Sequence, residues 1–130
     1  MIRIKSSDVT CKGNVSANFI SVPDDIFNYI ELGLITGNDL TVFIKLLDLY
    51  NLDYGYAYPT IDQLEVMTKL SRSTLTESLK KLEYVGLIKK AKGRKGNNVY
   101  GVYKPLKKDE LYEQVPDLLL KLEKKRRRKN

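Results

Sequence analysis

Residues Thr60–Lys104 read "TIDQLEVMTKLSRSTLTESLKKLEYVGLIKKAKGRKGNNVYGVYK". Local signals divide this run into three parts. Thr60, with Gln63 three residues later, is a capping-box pattern and opens a helix through "IDQLEVMTK". Leu70 and Ser71 read as a turn. A second helix is expected from Arg72 to Val85, because Leu75, Leu79, Leu82 and Val85 recur at helical spacing and Gly86 is a helix stop. The period then changes to that of a hairpin: a strand at Leu87–Ala91, a tip at Lys92–Asn98, and a return strand at Val99–Tyr103 closed by Pro105.

The leucine stripe leaves Arg72, Ser73, Thr76, Glu77 and Lys80 to face elsewhere. A helix of two to four turns fits the B-DNA major groove, where its first side chains reach base edges or phosphates. Ser71, Ser73 and Thr74 suit such an end: small hydroxyls let the backbone approach and donate hydrogen bonds beside unpaired amides. Arg72 has the fork geometry for guanine or phosphate, and Glu77 can accept from a cytosine amine. Lys80 and Lys81 complete the candidate recognition set, although Glu77 with these lysines is also ordinary surface pairing. In the hairpin, Lys90, Lys92, Arg94, Lys95 and Asn97 are candidate backbone contacts.

Upstream, "SVPDDIFNYIELGLI" carries helix-start signals at Ser21, Pro23, Asp24 and Asp25, with Ile26, Phe27, Ile30 and Leu34 as its stripe. Leu40, Phe43, Ile44, Leu47 and Tyr50 mark another helix. Tyr54, Tyr56 and Tyr58 alternate, which predicts a short strand with its rings on one face; packing is the expected use of those rings, stacking on bases the alternative.

Charge is unevenly spread. Met1–Gln63 has 4 basic and 8 acidic residues, Leu64–Lys108 has 12 and 3, Asp109–Glu123 has 1 and 5, and the tail from Lys124 adds six cations, within a net +7. Concentration of positive charge on two segments points to an oriented polyanion surface. The chain has no histidine and a single cysteine, Cys11, which removes Ser-His-Asp and Cys-His chemistry and the usual zinc spacings. We therefore expect a protein that is not an enzyme and uses no cofactor or metal. No apolar run is long enough for a membrane span or resembles a signal peptide, so a cytoplasmic location is expected.

The pattern "TIDQLEVMTKLSRSTLTESLKKLEYVGLIKK" followed by "GRKGNN" resembles the winged helix-turn-helix superfamily, in particular MarR-like regulators. With "FISVPDDIF" and "LTVFIKLLDLY" upstream, it is also similar to the N-terminal domain of RepA- and DnaD-type replication proteins of plasmids and phages. The resemblance covers roughly residues 19–104. It implies groove-facing roles for Ser71, Arg72, Ser73, Thr76, Glu77 and Lys80, a phosphate contact at Thr60, and wing contacts at Lys92, Arg94 and Lys95. Lys69 stands where a turn glycine is common, so a lysine must there adopt a backbone conformation it disfavours.

The expected fold is mainly α with a small β-hairpin wing (α+β), plus a C-terminal helix. Residues 1–18 form an arm, 19–108 the winged domain, 109–123 an amphipathic helix and 124–130 a basic tail. Leu111, Val115, Leu118, Leu119 and Leu122 share one helical face, interrupted at Pro116 by a kink or a fresh start. We assign that face to homodimerisation, with packing on the protein's own core as the alternative. Lys124, Lys125, Arg126, Arg127, Arg128 and Lys129 are expected to add affinity for phosphate of any sequence. The leading expectation is a site-specific double-stranded DNA-binding regulator. A plasmid or phage replication or partition protein assembling on repeated sites is the second, and a protein- or RNA-binding winged module the third.

Overall fold

A computed structural model describes residues 3–6 and 20–128. The order is α1 (Ile26–Glu31), α2 (Gly37–Leu49), α3 (Ile61–Thr68), α4 (Arg72–Tyr84), β1 (Ile88–Lys92), β2 (Asn98–Val102), α5 (Lys108–Gln114) and α6 (Pro116–Arg128). The chain is thus mostly helical with a two-stranded antiparallel hairpin, an α+β fold consistent with a winged helix.

The core forms where α2, α3 and α4 meet. Val42, Phe43, Leu46 and Leu47 of α2 are fully buried against Leu64 of α3 and Leu75 and Leu82 of α4. All four stripe residues expected on α4 lie in this core, which removes that face of the helix from solvent and leaves its other face free.

Both expected starts are present. Thr60 and Gln63 exchange reciprocal bonds at 2.9 and 3.1 Å, and Ser71 Oγ accepts from the Thr74 amide at 3.2 Å. Between the helices Lys69 adopts φ 61°, ψ 17°, the left-handed conformation that its position demands, while its N–H bonds to the Glu65 carbonyl at 2.9 Å. Thr68 Oγ1 takes the Leu70 amide at 3.2 Å, so these two backbone donors of the turn are satisfied without glycine.

The hairpin pairs Ile88 with Val102 through to Lys92 with Asn98. Ala57 adds a third edge through two bonds to Tyr100, at 2.9 and 2.8 Å, which ties the hairpin to the segment before α3.

Several expectations are corrected. The tyrosine segment is a turn with isolated bridges at Tyr56 and Ala57, because Asn51 Oδ1 accepts from the amides of Asp53 and Tyr54, both at 2.9 Å, and Gly55 has φ 80°. Helix α1 begins after Asp25 instead of at Ser21, and with six residues it buries Ile26 and Tyr29 while Phe27 stays 53% exposed. The N-terminal arm is not separate from the domain at residues 3–6: Ile4 is buried and its N–H bonds to the Tyr84 carbonyl at 2.7 Å. Gly86, at φ 78°, makes that approach feasible, since a Cβ there would meet Ile4 O at 2.7 Å. The remaining arm residues, Cys11 among them, lie outside the described residues.

Pro116 starts a fresh helix, at the first-turn position where its missing N–H is harmless. The face assigned to dimerisation folds back instead: Leu111 and Val115 are buried in the core, and Leu118, Leu119 and Leu122 are half-buried against it. The domain's own core thus covers part of that face. No helix among the described residues is long and apolar enough to cross a membrane.

Candidate nucleic-acid interface

The exposed side of α4 starts with a hydroxyl cluster. Ser71 Oγ lies 2.9 Å from Thr74 Oγ1 and 3.2 Å from Ser73 Oγ, and Thr76 Oγ1 donates to the Arg72 carbonyl at 2.8 Å. Ser71, Arg72, Ser73, Thr76, Glu77 and Lys80 are exposed, whereas Thr74 is half-buried. One face of a single helix therefore presents hydroxyls and a guanidinium at its positive end, followed by a carboxylate and an ammonium one to two turns on.

The hairpin supplies the second part. Lys90, Lys92, Arg94, Lys95 and Asn97 are placed along it; Lys90, Arg94, Lys95 and Asn97 are exposed, and Lys92 Nζ is held 3.0 Å from Asn98 Oδ1. The tip closes through Gly93 and Asn97, with Gly96 at φ 81°.

An open cleft of about 310 Å³ joins these parts, its walls including Tyr58, Thr60, Asp62, Arg72, Lys92 and Asn97. Four residues selected from sequence as separate contacts, Thr60, Arg72, Lys92 and Asn97, thus meet at one concavity. A second hollow of about 170 Å³ brings Thr76 and Lys80 of α4 next to Lys90 of β1, over Ile88 and Tyr100. There Glu83 accepts from the Lys90 amide at 3.0 Å, which couples the end of α4 to the base of the hairpin.

Two expected contacts are otherwise engaged. Lys81 points toward α2: its Nζ is 3.1 Å from Oδ2 of Asp39, a residue only 2% exposed. Burial would raise the Asp39 carboxyl, but hydrogen bonds from Ser78, the Thr36 amide, Lys81 and the Thr36 hydroxyl outweigh it and hold the group below its ordinary value. Lys81 is therefore corrected from groove contact to an anchor of α4. Arg72 is exposed yet paired, bonded through Nη2 to Asp62 and lying 3.4 Å through Nε from Glu65.

Asp39, Ser78 and Asp62 were missed by sequence reasoning. The Thr36-to-Asp39 spacing is itself a capping signal, and both halves of that box are present. Ser78 sits between Leu75, Leu79 and Leu82 on the buried stripe, a polar residue that needed a partner.

Tyr54, Tyr56 and Tyr58 pack on one another, with ring centroids 5.8 to 6.0 Å apart. In the tail, Lys124, Lys125, Arg126 and Arg127 are exposed, and Arg126 reaches back to Glu31 at 2.8 Å. Lys129 lies outside the described residues.

No protein-family model matches the chain, and no curated protein matches it. Among solved structures it is similar to a "Possible transcriptional regulator from Methanosarcina mazei Go1", at 20% identity over 95% of each chain with a TM-score of 0.44. That degree of likeness says nothing of ligand or activity.

Proposed function

We propose that this protein binds double-stranded DNA sequence-selectively as a winged-helix module, with α4 in the major groove and the hairpin on the adjacent backbone. The observation that supports this most is the convergence of Thr60, Arg72, Lys92 and Asn97 on one cleft between the start of α3, the start of α4 and the hairpin tip. A capped helix N-terminus and an ammonium around one concavity match the chemistry of a phosphate-bearing duplex edge, with the Arg72 guanidinium beside them available to a base. The outward residues at the start of α4, Ser71, Arg72, Ser73, Thr76 and Glu77, then supply donors and acceptors for base edges.

The regulatory reading follows from selectivity: a domain that prefers one site can act by occupying it. We propose a transcriptional regulator in that sense. Selection of duplexes from a random library, followed by fluorescence anisotropy on the winner and a scrambled duplex across a salt series, tests it. The reading requires a selected duplex to bind at least about a hundredfold tighter than the scrambled one. Equal affinities with a steep salt dependence would reduce it to non-specific polyanion binding.

A further inference from the structure

We infer that Asp62 and Glu65 set the selectivity of the interface, by holding the Arg72 guanidinium for guanine and against phosphate. The inference rests on the DNA-binding reading above and assigns a role to two carboxylates that it does not use.

Asp62 and Glu65 are three residues apart on α3, hence on one helical face, and Arg72 is the first residue of α4. Arg72 meets both, through Nη2 and Nε respectively. All three side chains are accessible, at 60% exposure for Arg72, 81% for Asp62 and 37% for Glu65. As isolated surface pairs such contacts contribute little to folding. Their consequence is for whatever ligand approaches. Asp62 and Arg72 both wall the cleft that also holds Lys92 and Thr60.

The Asp62 hydrogen bond at Nη2 and the Glu65 ion pair at Nε engage two of the three guanidinium nitrogens. Nη1 and the second hydrogen on Nη2 remain, and that edge matches O6 and N7 of a guanine. A guanine is neutral and leaves both carboxylates in place. A phosphate competing for the same guanidinium must either displace them or sit beside two negative charges, and both penalties fall on every sequence alike. The carboxylates thus weaken binding to arbitrary DNA more than binding to the correct site, which is how a repulsive element creates a difference of affinities. They are positioning residues: they act through Arg72 rather than on the base.

The test uses the full chain and the duplex that wild type selects from a random library. Dissociation constants for that duplex and for a scrambled one are measured by anisotropy at several salt concentrations. The proteins compared are wild type, Asp62→Asn with Glu65→Gln, Arg72→Ala, and the triple variant, with thermal midpoints as a folding control. The double variant is expected to bind scrambled DNA more tightly and with a steeper salt slope, and its selectivity ratio should fall about tenfold. Its thermal midpoint should match wild type, and adding Arg72→Ala should lower the ratio little further, since the carboxylates act through that residue. An unchanged ratio in the double variant, or a parallel loss of both affinities, overturns the inference while leaving wild-type selectivity intact. A wild type with no preferred duplex removes the DNA-binding reading itself, and this inference with it.

Discussion

Lys81 Nζ lies 3.1 Å from Asp39 Oδ2, so the helix that faces the candidate ligand is tied from its inner side to a carboxylate that is almost wholly buried. Asp39 also takes the Ser78 hydroxyl from the same helix and both donors of Thr36. The polar cluster fixes α4 against α2 at a place where leucines alone would allow sliding along the stripe. Asp39→Ala leaves Ser78 and a half-buried ammonium without their acceptor, and is expected to destabilise the fold by about 3 kcal/mol in urea titration.

The same residue sets an acid limit. Its carboxyl is held below the ordinary 3.8, so its contribution to stability is complete above that value and is lost as pH falls through the lower folded-state value. Urea midpoints measured from pH 7 downward should therefore drop more steeply below about pH 4 in wild type than in Asp39→Asn, where the ionisation is gone. Parallel acid limbs would show that Asp39 is not the responsible group.

At the alkaline end, Tyr29 plays the complementary part. Its hydroxyl accepts the Leu106 amide at 2.9 Å, and burial pushes the phenol up to about 12. The raised value means stability present below the unfolded-state value near 10 and lost as pH climbs through 12. Tyr29→Phe should lose about 1–2 kcal/mol at neutral pH by orphaning the Leu106 amide. It should also lose less further stability than wild type between pH 10 and 12, as read by unfolding monitored through far-ultraviolet circular dichroism.

The leucines after Pro116 give a different outcome from the one their periodicity suggests. Leu118 and Leu122 pack on the core, so Leu118→Asp with Leu122→Asp should lower the thermal midpoint by several degrees, about 2–4 kcal/mol in stability. Sedimentation equilibrium should show the same mass for the variant at folding temperatures as for wild type.

In the hairpin, neutralising Lys92, Arg94 and Lys95 together to Gln is expected to weaken binding to matched and scrambled duplexes alike. The slope of log affinity against log salt should flatten by about one for each phosphate that is no longer neutralised. An effect confined to the matched duplex would move these residues from backbone to base contacts.

How much of the fold and interface was legible in sequence depended on whether the signal was local. The cap at Thr60, the turn at Leu70 and Ser71, the stripe from Leu75 to Val85 and the hairpin all act within a few residues, and all appear where the sequence places them to within a residue or two. The unusual backbone at Lys69 was expected only through the winged helix-turn-helix resemblance, in which a turn glycine is common at that position. Tyr54 to Tyr58 misled because alternation is shared by a strand and by a turn that Asn51 organises through its side chain. The terminal leucines were ambiguous for a deeper reason: an apolar face is the same whether its own core or a second chain covers it. Arg72 was expected to face a ligand, but its pairing with residues seven and ten positions earlier depends on the angle between α3 and α4, which no spacing encodes.

The central claim is that α4 reads base edges. It is tested most directly by Arg72→Ala, measured by anisotropy on the selected duplex and its scrambled counterpart at one salt concentration. Loss of about 1–3 kcal/mol on the selected duplex, with affinity for scrambled DNA nearly unchanged, is the predicted result. Equal affinities for wild type and variant on the selected duplex would contradict it.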